Sequence, residues 1–198
     1  MQKKQQIILS LGDILIPLFG LFYLDWSLYF IALYLLFDLL GSYIFYLIKA
    51  RKRIAYSRSL EDKNKFRSGT ISLAFTLLAI IAATYLFVLN TNPKIDFSQA
   101  FVSFLMYIEE PIPLPQFWFL IPLILLPPYQ QYKMEFIMRQ KFRTTTVNSL
   151  TTSFHKDLLF AIAFLGIGIG ISYFLVLPSF IWLLGFIILK LVYDFIIK

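Results

Sequence analysis

Four ionisable side chains stand inside apolar stretches of this sequence. Asp13 lies in IILSLGDILIPLFGLFYL (7–24), Asp38 in LYFIALYLLFDLLGSYIFYLI (28–48), and Lys190 and Asp194 in FIWLLGFIILKLVYDFII (180–197). A charge at the centre of a membrane helix costs about 2.5–3.5 kcal/mol on insertion scales, so each calls for a partner, a neutral form or water. Asp38 is the central residue of its stretch and Lys190 is near the middle of its own, which puts them at similar depth. Asp194 follows Lys190 by four residues, on the same helix face about 6 Å along the axis. Two uses fit these residues. In one, Asp38 titrates in a proton or ion relay with Lys190 as its counter-charge. In the other, an interhelical salt bridge or a Lys190–Asp194 pair only fixes packing. Asp13, six residues into its stretch, is placed to snorkel toward cytoplasmic water.

The run Gly166-Ile-Gly-Ile-Gly170 carries a GxxxG spacing, with Ala163 one turn earlier. Small residues at that spacing let another helix backbone approach closely, whether from this chain or a neighbour. No strand precedes the run, so it is not a dinucleotide fingerprint. The segment beginning Lys49-Ala-Arg51-Lys52-Arg53 is the strongest basic patch. At roughly 1 kcal/mol per basic residue near an anionic leaflet, it suits lipid headgroups or a partner. Its topogenic role accounts for the charge without invoking nucleic acid. His155 is the sole histidine and there is no cysteine, so zinc ligation has no ligand set. No nucleophile elbow, phosphate loop or paired-histidine motif is present. The hydroxyls of TTTVNSLTTS (144–153) suit helix capping. The expectation is a protein without a cofactor, a metal or a catalytic set.

The elements that carry these residues follow from composition. Of 198 residues, 59% are hydrophobic and 15% charged, against about 25% charged in an ordinary soluble domain. A water-soluble globule of this size would lack the polar side chains to cover its surface. Disorder is excluded by the same figures, and a disulfide-built module by the absence of cysteine. A bilayer crossing takes about 20 mostly apolar residues. Residues 7–24, 28–48, 70–89, 158–177 and 180–197 meet that standard, joined in part by links too short for anything but helical hairpins. The stretch from 116 carries Pro122, Pro127 and Pro128 and reads as a kinked fourth span over 116–138. Loop charge supports it, because Lys and Arg gather on the cytoplasmic side. Residues 49–69 hold eight basic and two acidic residues, and 129–157 hold five and two, whereas 90–115 are net negative. The chain is thus expected to be one all-α membrane bundle of six spans, both termini cytoplasmic, with Trp26 and Trp118 at the outer interface. The first apolar run lacks a small-residue cleavage site and reads as a span, not a cleaved signal.

Pro17-x-x-Gly20, Trp26-Ser27, Leu33-Tyr34, Asp38 and Lys49 resemble the opening of a family of uncharacterised bacterial polytopic membrane proteins. The likeness covers about the first 50 residues, and it departs where Leu35 replaces an aromatic residue and Leu39 an asparagine. The histidine-containing later spans of that family have no counterpart here. The resemblance implies the bacterial inner membrane and adds no activity. Three function classes stand. The first is an accessory or scaffold subunit of a membrane assembly. The second is a small channel or transporter acting as a homo-oligomer, and the third an enzyme acting on lipid. A membrane effector that answers a cytosolic sensor is a variant of the first two. Small size, packing glycines and the missing catalytic set favour the first.

Overall fold

The computed structural model describes residues 15–24, 26–106, 116–175 and 177–193, with only the backbone of Gln116, Lys190 and Leu191. Among them every regular element is helical. α1 covers 15–23. It is followed by α2 (Leu28–Ser57), α3 (Leu60–Thr91), α4 (Phe97–Met106) and α5 (Gln116–Gln130). α5 runs directly into a π-helical segment, Gln131–Ile137, and a short 3-10 turn, Lys141–Arg143, leads to α6 (Val147–Ser172) and α7 (Ser179–Val192). Asp13, Asp25, Asp194 and residues 107–115 lie outside the described residues.

α2, α3 and α6 are long and apolar enough to cross a membrane. At 1.5 Å per residue their 30, 32 and 26 residues span about 45, 48 and 39 Å, more than the roughly 30 Å of hydrocarbon. The excess lies at the basic end, and this corrects the expectation of a polar loop over 49–69. α2 continues nine residues past Ile48, and α3 begins ten residues before Thr70. Only Arg58 and Ser59 separate them. Lys, Arg, Ala and Glu are good helix formers, so nothing in this segment ends the helix until the turn. There Arg58 adopts the left-handed conformation (φ 52°) and its N–H bonds to Ile54 O at 2.9 Å. The Ser59 hydroxyl then accepts from Asp62 N, and Glu61 and Asp62 occupy the first turn of α3, where the helix dipole favours them. α6 likewise starts eleven residues before Leu158, because Thr146 caps it by accepting from Ser149 N. The capping use of the 144–153 hydroxyls is present; the expected start of the fifth span at 158 is not the start of its helix.

Two apolar clusters hold the helices together. One, around Leu73, Leu77, Ile80, Phe87, Leu158, Leu165 and Trp182, sits where α3 packs along α6. The other gathers α2, α4, α5 and α7 around Phe104, whose ring meets Phe30, Phe37 and Phe117 at centroid distances of 5.4, 6.0 and 6.2 Å. Trp26 belongs to this second core, at 3% exposure, so its ring faces protein on all sides. The reason is local. Gly20 presents no Cβ, and the Trp26 indole fills the place one would take, while Trp26 N bonds to Gly20 O at 2.9 Å. Trp118 is exposed, as an interfacial tryptophan would be. Phe75, Leu78, Leu86, Ile167 and Ile188 point outward, an apolar exterior suited to lipid. The helix from 116 is unbroken through 137. Its prolines remove backbone donors, and the wider π turn begins three residues after Pro128.

Candidate functional site

The densest group of charged side chains lies at the basic end, where α2, α3 and the 131–143 segment meet. Arg53 is its centre. Its Nε donates to Asp62 Oδ2 at 3.3 Å, and its Nη1 donates to the carbonyls of Phe142 and Arg143 at 3.1 and 2.8 Å. Both charged side chains are largely shielded, at 15% and 12% exposure. Nine residues of sequence separate Arg53 from Asp62. The tight turn at Arg58-Ser59 folds them into contact. Lys49 Nζ donates to Gln131 Oε1 at 2.8 Å, and Lys141 pairs with Glu135 at 3.0 Å. On the outer face of α3, Lys65 pairs with Glu61 at 2.6 Å, and the Glu61 hydrogen bond holds the Lys65 ammonium above its ordinary pKa. Lys52 and Arg143 both bear on the Phe142 ring, at 5.7 and 5.9 Å from its centroid.

The four residues expected to meet headgroups therefore divide. Arg51 and Lys52 are exposed, whereas Arg53 turns inward and Lys49 is half-buried against the π segment. For Arg53 the expectation is corrected: a guanidinium can satisfy a carboxylate and two carbonyls at once, and three such partners converge on it.

Nearer the apolar core, the polar contacts also join helices. Tyr46 OH and Thr151 Oγ1 are 2.9 Å apart, and Tyr43 OH donates to Thr70 O at 3.3 Å. Gly69 allows that approach, since a Cβ there would come within 2.9 Å of Thr151. Tyr193 OH donates to Asp157 Oδ1 at 2.9 Å, tying α7 to α6. Asp38 is half-buried in the middle of α2 and is not without a partner. Of the other intramembrane charges, Asp13 and Asp194 lie outside the described residues, as does the side chain of Lys190. The expected Asp38–Lys190 and Lys190–Asp194 pairs fall there with them.

The glycine run behaves differently from its expected role within one chain. Gly168, the middle glycine, is buried against Phe87, whose Cε2 would lie 3.1 Å from an added Cβ. Gly166 and Gly170 have nothing within 4 Å of that position, and Ala163 is exposed. Residues two apart in a helix face different sides. The side that packs on α3 is therefore the one opposite the two glycines of the GxxxG motif. His155 is half-buried on α6, and no group of metal-ligating side chains occurs among the described residues.

Sequence reasoning missed Arg53–Asp62 and Asp157–Tyr193. The first had a signal in Ser59 with Glu61 and Asp62 behind it, which marks a helix start and hence a hairpin. The second has none, because thirty-six residues separate the pair and only tertiary packing joins them. Comparison with family models, curated proteins and solved structures returned no match.

Proposed function

We propose that this chain is an integral membrane protein of six spans with its basic end and both termini in the cytoplasm. Its role is that of an accessory or scaffold subunit in an inner-membrane assembly. One observation carries this reading: the polar side chains that chemistry would need are used to tie helices together. Arg53 with Asp62, Lys49 with Gln131, Tyr46 with Thr151 and Tyr193 with Asp157 each bridge separate elements. A bundle braced in this way is suited to holding partners in place. The outward small residues Ala163, Gly166 and Gly170 offer a face where a neighbouring helix can approach closely. Purification in mild detergent followed by native mass spectrometry tests the proposal. A stable hetero-complex supports it, and a symmetric homo-oligomer replaces it with a pore.

A second reading, a small channel or transporter, draws on Asp38. A half-buried carboxyl in the middle of an apolar span is costly unless it serves packing or transport. The proline-bearing helix with its π turn adds the kind of interruption that lines transport sites. Asp38→Asn should then abolish flux in proteoliposomes while leaving assembly intact. If the charge serves packing, the same exchange should instead lower stability.

A further inference from the structure

An anion site needs cations left without carboxylates, and the chain has such a place between the end of α2 and the 131–143 segment. Lys52 and Arg143 stand 5.7 and 5.9 Å from the centroid of one ring, Phe142, and both are exposed. Neither makes an ion pair among the described residues. The neighbouring carboxylates are committed elsewhere, Asp62 to Arg53 and Glu135 to Lys141. Two cations without carboxylates beside one ring favour an anion near them.

Depth selects the kind of anion. Lys52 stands four residues past Ile48, the last residue of the apolar stretch, or about 6 Å along the helix. Headgroups occupy roughly the first 5–7 Å outside the hydrocarbon on each side. Arg58 and Lys63, by contrast, are at the hairpin tip well beyond it. On the hydrocarbon side an aromatic ladder continues from Phe142. Phe136 lies 6.3 Å from it and Tyr132 6.2 Å from Phe136, and Phe45 packs on Tyr132 and Tyr129 at 6.1 and 6.3 Å. Tyr129 is exposed at its end. The ladder is built on the π turn, an irregularity that recurs at functional sites.

We propose that Lys52 and Arg143 hold the phosphate of an anionic phospholipid of the cytoplasmic leaflet, with an acyl chain lying along Phe45, Tyr129 and Tyr132. This rests on the reading that α2 crosses the bilayer.

The full chain, purified in mild detergent, is melted with added phosphatidylglycerol, phosphatidylcholine or sodium phosphate at equal concentration. Phosphatidylglycerol should raise the melting temperature by about 3 °C or more beyond phosphatidylcholine, and sodium phosphate should not. Lys52→Gln with Arg143→Gln should remove the excess. Arg58→Gln with Lys63→Gln, the same loss of charge at the hairpin tip, should keep it. Should the first double variant fail to fold, Lys52→Gln alone is read in the same way. Equal stabilisation by phosphatidylcholine overturns the proposal, and equal stabilisation by sodium phosphate makes the site one for free anions. Survival of the excess in the Lys52 variants, or its equal loss at the tip, also overturns it. Alkaline carbonate extraction of native membranes is a separate test. Release of the chain to the supernatant would sink the membrane reading itself, whatever the lipid result.

Discussion

Arg53 shows how one side chain can decide a local structure. It carries a charge contact between α2 and α3, and it also holds two carbonyls of the Lys141–Arg143 turn. Arg53→Met would leave a shielded carboxylate and two carbonyls unpartnered, so it should cost about 3 kcal/mol, read as a lower melting temperature in detergent. Arg53→Lys keeps the charge but not the planar fork, and should cost about 1–2 kcal/mol. Equal losses in the two variants would mean that charge alone matters. Glycines give a second contrast. Gly69→Ala pushes a methyl group against Thr151 and so disturbs its bond to Tyr46; a loss of about 1–3 kcal/mol is expected, as for other overpacked positions. Gly170→Leu meets open space in the single chain. It should leave the monomer's melting unchanged and weaken only an oligomer, which native mass spectrometry would reveal.

At the scale of elements, the basic segment is a helical hairpin whose turn is set by two residues. Ser59 caps α3, so Ser59→Ala should lower stability by about 1 kcal/mol. Arg58 has a positive φ of 52°, a conformation that costs a non-glycine residue roughly 1–2 kcal/mol. Arg58→Gly relieves that strain but frees the unfolded chain, so the expected net gain is under about 1 kcal/mol. A loss in the melt would show that the Arg58 side chain holds the turn. The helices continue past their apolar stretches because hydropathy and helix propensity are different properties. Apolar runs mark where a helix can meet lipid, whereas Lys, Arg, Glu and Ala extend it into water. For that reason the apolar centres of α2, α3 and α6 were legible in the sequence and their polar ends were not.

At the scale of the whole molecule, the absence of cysteine makes orientation directly measurable. Single cysteines at Ser59 and Asn148 should resist an impermeant thiol reagent in intact cells, and one at Asn92 should react. Labelling at Asn148 from outside would mean that the 116–137 helix does not cross. The sequence by itself determined the all-helical character and the apolar stretches, because these depend on side-chain transfer free energy and local helix formation. It also marked α5 despite its prolines, since the surrounding residues are apolar and a helix can absorb a missing donor. Only the tertiary structure decided which polar groups meet. It drew Trp26 into the core over Gly20, turned Arg53 onto Asp62 and two carbonyls, and gave Phe87 to Gly168 in place of Gly166 or Gly170. Each of these choices depends on how two helices are rotated about their axes. That rotation is fixed by side chains far apart in sequence that fill the same space, and no local pattern encodes it.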